Sequence, residues 1–255
     1  MSLPLSIIMI TKNAAAHLDA VLAAVAWCDD IVVVDSGSSD ATCAIVERHG
    51  ARLIHHDWLG FGPQKRFATT QAKHNWVLNL DADEVLDEAA QAAIQALPLT
   101  TLDASACFAL RRRTFIGRRE IRHGPWNPDW CLRLYNRTRS DFDEAPVHEV
   151  VVAASTPQRL AGTMLHYSFT DLVDVFKPHY ARSKAAKYVA AGRRAGTLTL
   201  ALRFNWALFQ GFVLKRGFLD GGAGFIVAVS HALNASLGLA LASAVARQES
   251  DLPDV

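Results

Sequence analysis

Cysteine is sparse in this chain of 255 residues: Cys28, Cys43, Cys107 and Cys131 stand far apart, with no C-x-x-C pair. Neither a disulfide framework nor a zinc site is indicated, and reduced thiols in the cytoplasm are expected. Charge of one sign is also lacking. The formal net charge of +1 leaves no electrostatic signature of nucleic-acid binding. No basic stretch precedes the first apolar run, which reads as a strand, so a signal peptide is not expected. Internal repeats and low-complexity linkers are missing too. One local shortage is informative: residues 171–219 hold 2 acidic side chains against 9 basic ones, whereas residues 1–104 hold 13 against 6. The two ends of the chain face different partners, the second of them anionic.

What is present is an alternation. Leu5–Ile10, Ile31–Val34, Ala51–His55 and Asn75–Leu80 are short apolar or β-rich runs, the pattern of strands in a parallel sheet. Between them, Leu18, Val21, Leu22 and Val25 recur at helical spacing, and Asp40–His49 and Gln64–Lys73 read as further helices, the first capped by Ser38 or Ser39. Asp87 and Glu88 begin another. Four strand–helix repeats in eighty residues predict an α/β, doubly wound sheet. Past Pro98 the rhythm changes, with strands at Ala106–Arg113 and Cys131–Tyr135 around a loop rich in Arg, Gly, Pro and Trp. After Ser168 the pattern is helical: Asp171–Ala195, Leu200–Gly217 and Gly224–Arg247. The expected organisation is a catalytic domain over 1–170, divided into a nucleotide-binding half (1–104) and an acceptor half (105–170), with a helical region over 171–255.

Four polar features fall at predicted carboxyl ends of strands, where open α/β sheets bind ligands. Thr11, Lys12 and Asn13 follow the first strand. Asp35, with Ser36, Ser38 and Asp40, follows the second, where a carboxylate can accept hydrogen bonds from a ribose or a base N–H. Lys65 and Arg66, after Gly62-Pro63-Gln64, offer cations to a diphosphate. Asp81-Ala82-Asp83 ends the apolar run Trp76–Leu80, and two carboxylates at spacing two suit Mg²⁺ or Mn²⁺ shared with ligand phosphates. Singly, each is a common turn, cap or solvated helix face; their conjunction is specific.

Beside these residues stand MITKNA (9–14), VVVDSGSSDAT (32–42), DWLGFGPQKRFA (57–68), WVLNLDADE (76–84), IRHGPWNPDWCLRLYNR (121–137), PVHE (146–149), LHYSF (165–169) and RGFLDGGAGF (216–225). In these segments the chain resembles the inverting GT-A glycosyltransferases of family two, and within them the bacterial group that adds glucose or a related sugar to the lipopolysaccharide inner core. The resemblance runs from about residue 5 to 228 and fades after Ile226. It implies a GT-A fold (Rossmann-like, mostly parallel sheet flanked by helices) with a helical C-terminal extension. It implies a UDP-linked sugar donor such as UDP-glucose, a divalent metal, and a lipid-linked or phosphorylated glycan acceptor. By position, Thr11, Asn13, Asp35, Ser36, Lys65, Asp81 and Ala82 would hold the nucleotide and its phosphates. Asp83, assisted by Asp81 and with His166 as a further ligand, would hold the metal. The base for the acceptor hydroxyl would be Glu149 or, second, Asp143. Arg122, His123, Trp126 and His148 would meet acceptor or donor sugar, within an arginine-dense loop suited to phosphate or carboxylate.

Basic residues 182–194 ahead of apolar Leu198–Leu202 and Trp206–Leu214 predict a helical surface that lies peripherally on the inner membrane. Phe225–Ala246 approaches spanning length, yet Ser230, His231, Asn234, Ser236 and Ser243 make a packed or homo-oligomerising helix the better reading. Three rivals compete. Asp81-Ala82-Asp83-Glu84-Val85 also fits a haloacid-dehalogenase-like phosphatase with Asp81 as nucleophile, although that motif belongs after a first strand. A nucleotidyltransferase would want a glycine-rich phosphate loop where Thr11-Lys12-Asn13-Ala14 stands. A non-catalytic sugar-binding scaffold of the same fold is the third.

Overall fold

The computed structural model describes residues 3–143, 150–176 and 178–247. By contact the chain divides into two units, one of residues 1–113 and 129–167, the other of 114–128 and 168–255. The second unit thus takes in the loop 114–128 together with everything after Tyr167.

The first unit begins with the strand–helix alternation: β1 (Leu5–Thr11), α1 (Ala15–Ala24), β2 (Ile31–Asp35), α2 (Thr42–Arg48), β3 (Arg52–His55), α3 (Phe61–Thr70) and β4 (Trp76–Asn79). The strands lie in the order β3-β2-β1-β4, all parallel, with Thr11 opposite Asp35 and Ile8 opposite Asn79. Side chains alternate between the faces. Leu5, Ile7, Met9, Val33, Trp76 and Leu78 pack with Leu18, Val21 and Leu22 of α1 and Ile45 and Val46 of α2. Ile8, Val32, Val34 and Val77 pack on the other face with Ala68 of α3. Burial on both faces is why these runs are almost wholly apolar. Pro63 sits in the first turn of α3, where its missing N–H leaves no hydrogen bond unmade.

After β4 come β5 (Glu84–Leu86), α4 (Glu88–Gln95), β6 (Cys107–Ile116), β7 (Arg119–Glu120), β8 (Asp129–Asn136), β9 (Asp141–Phe142), β10 (Val151–Val152) and β11 (Gln158–Phe169). The sheet continues β4-β8-β6-β11-β5. β8 is antiparallel to β4, β6 to β8, and β5 to β11. β3, β2, β1 and β4 thus form a parallel group within a mixed sheet. Hairpin-type connections permit antiparallel neighbours, whereas each parallel pair needs a crossover. Asp87 caps α4 by accepting the Ala90 N–H at 2.8 Å. The helix at 42–48 has no side-chain cap from Ser38 or Ser39: Asp40 accepts the Thr42 N–H instead, at 3.0 Å.

In the second unit, the ends of β6 and β11 supply Ile116 and Phe169 to a core with Ile121, Val175, Ala223 and Val227. Three helices follow, α5 (Pro178–Ala190), α6 (Thr197–Phe209) and α7 (Gly221–Ala246), with a π-helical turn at Gln210–Leu214 and a 3-10 turn at Gly217–Asp220. The segment Gly217–Ala246 is long and apolar enough to cross a membrane by length and composition. It packs against both α5 and α6. At Gly238 the α5–α7 crossing is so close that a Cβ would lie 2.8 Å from the Lys184 Cβ.

Candidate active site

The site develops at the carboxyl ends of β1, β2 and β4. Asp35, the last residue of β2, is buried and turns back on its own loop. It accepts the Thr11 hydroxyl (3.0 Å), the Gly37 N–H (2.9 Å), the Ser38 N–H (2.8 Å) and the Ser38 hydroxyl. Burial works to raise its carboxyl, but the hydrogen bonds from Ser38, Thr11 and Gly37 outweigh that and hold it below the ordinary value. Asn13 takes a left-handed φ of 52° and accepts the Ser39 N–H at 2.8 Å. Gln64, fully buried on α3, donates to the Ser36 hydroxyl (3.0 Å) and the His56 carbonyl (3.2 Å), fastening the β2 loop to α3. Thr11, Asn13, Asp35 and Ser36 thus form one hydrogen-bonded loop cluster.

Beyond β4 the acidic turn is a charge network. Lys65, almost completely buried on α3, donates to one Asp81 oxygen at 2.8 Å, and Arg133 of β8 donates to the other at 2.7 Å. The same Arg133 nitrogen reaches Glu84, which has no exposed surface, and Arg112 stands 3.5 Å from that carboxylate while pairing with Asp129 at 2.7 Å. Burial pushes the Asp81 carboxyl up, yet Arg133 and Lys65 overcome it and hold it well below the ordinary range. Burial also disfavours the charged Arg133, but Asp81 and Glu84 keep it firmly protonated.

Asp83 differs. Its side chain is partly exposed and its carboxyl is raised, by burial first and then by Asp81 and Glu84 nearby. His166 of β11 faces it at 3.5 Å, and burial depresses the imidazole to about 4, so it is neutral near pH 7. The Tyr167 N–H donates to the Asp83 carbonyl at 3.0 Å, which fixes β11 against the turn. Tyr167 itself stacks on His17 of α1, with centroids 4.9 Å apart. Ala82, between the two aspartates, leans on the core.

Buried polar atoms are nearly always paired. Among the described residues, the buried side-chain atoms without a partner are both amide atoms of Asn79, Nε of Arg133 and Nδ1 of His166. Asn79 lies two residues before Asp81, Arg133 holds Asp81, and His166 faces Asp83. The unmet polar capacity is gathered at one end of the sheet.

The structure brings Asp83 and His166 together and gives Asp81 to Lys65 and Arg133. No group of three His, Cys, Asp or Glu side chains able to hold a metal occurs among the described residues. Asp143 accepts the Val150 N–H at 3.2 Å. Glu149 and His148 lie outside the described residues. Arg122, His123 and Trp126 belong to the second unit. There the Arg122 and His123 N–H groups both donate to Asp220, at 3.0 and 2.7 Å, and Trp126 stacks on Phe169 with planes 7° apart. The arginines expected on one acceptor face are divided: Arg112 turns in to Glu84 and Asp129, Arg119 donates to the Asp220 carbonyl, and Arg122 pairs with Glu120. Sequence reasoning missed Arg133, Gln64 and Asp220 as organisers. A single charge within the apolar strand Cys131–Tyr135 was the available signal for Arg133.

A parallel β3-β2-β1-β4 half continued into a mixed sheet, with helices on its faces and a helical C-terminal region, is the architecture of a GT-A glycosyltransferase. Residues 6–155 match the family described as glycosyl transferase family 2, and the chain belongs to that family. The chain is 31% identical over 251 residues to a lipopolysaccharide core biosynthesis glycosyltransferase, LpsC, of Rhizobium meliloti, covering 92% of this chain and 90% of the relative. An uncharacterized glycosyltransferase of Rickettsia bellii is 30% identical over 252 residues, covering 92% of this chain and 85% of the relative. One from Rickettsia felis is 31% identical over 252 residues, covering 92% and 88%. This chain is a glycosyltransferase.

Proposed function

We propose that this enzyme moves a hexose, glucose first among candidates, from a UDP-linked donor to a lipid-linked glycan of the lipopolysaccharide-core type, with inversion and with a divalent cation. The acceptor class rests on the likeness to the Rhizobium meliloti protein, whose name assigns it to lipopolysaccharide core synthesis. Such an acceptor puts the enzyme at the cytoplasmic face of the inner membrane.

The observation that carries the donor reading is the contrast between the two aspartates. Asp81 is fully ion-paired, while Asp83 is partly exposed, is raised in pKa, and faces a neutral imidazole. Whichever tautomer His166 takes, one of its nitrogens is poorly served: Nδ1 has no partner and Nε2 is 3.5 Å from Asp83. A hard cation held by the Asp83 carboxylate and the His166 Nε2 would serve both of those groups, with the ring proton then on Nδ1, and diphosphate oxygens and water suit its remaining positions. When bound, such an ion offsets the charge that develops on the leaving diphosphate. The residues present fit Mg²⁺ or Mn²⁺ with two protein ligands, Asp83 and His166.

The chain's own groups do the rest of the work. Thr11, Asn13, Asp35 and Ser36 shape the nucleoside loop. Lys65 lies one salt bridge from Asp81, from which a diphosphate can draw it. Asp81, Glu84, Arg112 and Arg133 hold the turn rigid, so Asp83 is presented without reorganisation. Glu149 is proposed as the base for the acceptor hydroxyl, with Asp143 second, and Arg122, His123, Trp126 and His148 as sugar contacts. The phosphatase alternative asks Asp81 to attack phosphorus, but both its oxygens are bound to cations and it follows the fourth strand.

Calorimetric titration of UDP with and without Mn²⁺, for wild type and Asp83→Ala, tests this reading. Binding that needs Mn²⁺ and falls at least about tenfold in the variant is expected. Equal UDP affinity without Mn²⁺, or in Asp83→Ala, would overturn it.

A further inference from the structure

The helical unit carries a surface that the donor chemistry does not use. On α6, Leu200, Arg203, Phe204 and Ala207 face inward. Arg203 anchors them, donating to the Ala235 carbonyl and the Tyr188 hydroxyl, each at 2.8 Å. The opposite side holds Leu198, Leu202, Trp206 and Phe209, exposed by 73, 62, 60 and 45%. At 3.6 residues per turn these four fall within an arc of about 80°. Asn205 at the edge turns its amide back to the Ala201 carbonyl at 2.8 Å. The run continues through exposed Val213 and Leu214 of the π-helical turn, Phe218 and Leu219 of the 3-10 turn, and Phe225 at the start of α7. A row of large apolar side chains left exposed on a folded protein marks an interaction site.

Charge identifies the partner. From Val175 to Leu219 the sequence has nine Lys or Arg and no Asp or Glu. Arg193 and Arg194 before α6, and Lys215 and Arg216 after the π-helical turn, are all exposed and bracket the apolar run. A second copy docking on this face would bring two such basic sets together, which costs energy. An anionic lipid surface neutralises them while it takes up the apolar side chains. Trp206 suits the boundary between headgroup and acyl chain.

We propose that the outer face of α6, with the turns that follow it, lies flat on an anionic phospholipid surface as an interfacial anchor. The proposal shares with the functional reading only the membrane location; its argument stands on the helical unit alone.

Flotation of the full chain with phosphatidylcholine vesicles, with and without phosphatidylglycerol, tests it in the absence of donor and acceptor. The chain should float with the anionic vesicles, less with neutral ones, and less as salt rises. Leu202→Gln/Trp206→Gln should weaken partitioning by about tenfold or more. Neutralising Arg193, Arg194, Lys215 and Arg216 to Gln should weaken it by several-fold for each charge. These four are surface residues, so this variant remains informative if the apolar one fails to fold by circular dichroism. Equal flotation of wild type and the charge-neutralised variant would overturn the proposal. So would a dimer in sedimentation equilibrium that the apolar variant dissolves, since the face would then be a self-contact. Because no nucleotide is present, a negative result leaves the UDP titration untouched.

Discussion

Arg133→Met removes the cation that joins the Asp81 and Glu84 carboxylates of the acidic turn. One nitrogen of Arg133 bridges Asp81, at 2.7 Å, and Glu84, and the side chain is only 8% exposed. Removing it leaves Asp81 with Lys65, and leaves Glu84, wholly buried, with Arg112 at 3.5 Å as its nearest remaining cation. Breaking a buried ion pair by deleting one partner costs about 3–5 kcal/mol, because the other charge stays desolvated. Total stabilities are about 5–15 kcal/mol, so this is a large share. At roughly 2–4 °C per kcal/mol for a chain of this size, the unfolding midpoint should fall by about 6–20 °C. Differential scanning calorimetry at pH 7 reads the shift. Arg133→Lys, which keeps the charge and loses the planar reach, should fall between. The diagnostic arm is Glu84→Gln/Arg133→Met, which removes one charge from each side and should recover part of the loss. If Arg133→Met melts within a degree of wild type, or the double variant is no better than the single, the buried-charge reasoning is wrong.

Asp30 gives a test by pH. It is buried and accepts the Ser6 hydroxyl, the Lys73 N–H at 2.7 Å and Arg52 at 2.8 Å. Burial raises its carboxyl, but those partners win and set it below 3.8. A depressed carboxylate stabilises the fold above its unfolded value, and that contribution is lost as pH falls through the folded one. Asp30→Asn should therefore be less stable than wild type at pH 7, and the gap between their melting curves should narrow as pH drops below about 3.8; a gap constant down to pH 2 would contradict this. Gly162 in β11 has φ +82°, and a Cβ there would stand 2.0 Å from the Ala90 nitrogen of α4. Gly162→Ala should cost more than about 2 kcal/mol in urea unfolding, with an unchanged midpoint as the contrary result.

These tests separate what one reads along the chain from what only folding decides. β1, β2 and β4 were legible because strands buried on both faces must be apolar, and their polar ends then mark where the sheet stops. Asp35, Asp81 and Asp83 were visible for that reason, whereas Lys65 lies inside α3 and was read from the Gly62-Pro63-Gln64 segment before it, and α4 was read from Asp87 and Glu88 at its start. The antiparallel continuation was not legible. β11, twelve residues of mixed burial with Gly162 in its middle, has neither an apolar run nor a clean alternation. Its place between β6 and β5 is set by partners far away in sequence. The roles of the two aspartates were equally hidden, for the spacing Asp81-Ala82-Asp83 makes them look alike. Arg133 from β8 and Lys65 from α3 neutralise one, while His166 from β11 faces the other. The backbone N–H groups of Arg122 and His123 that Asp220 accepts, and the stacking of Trp126 on Phe169, were likewise invisible in the sequence. Residue order alone places acidic side chains at the carboxyl ends of apolar parallel strands, because a strand buried on both faces can carry charge only where it ends. Which of those charges is already spent, and which is presented, was decided by tertiary structure, because a carboxylate's behaviour depends on the cations that distant segments bring within about 3 Å of it.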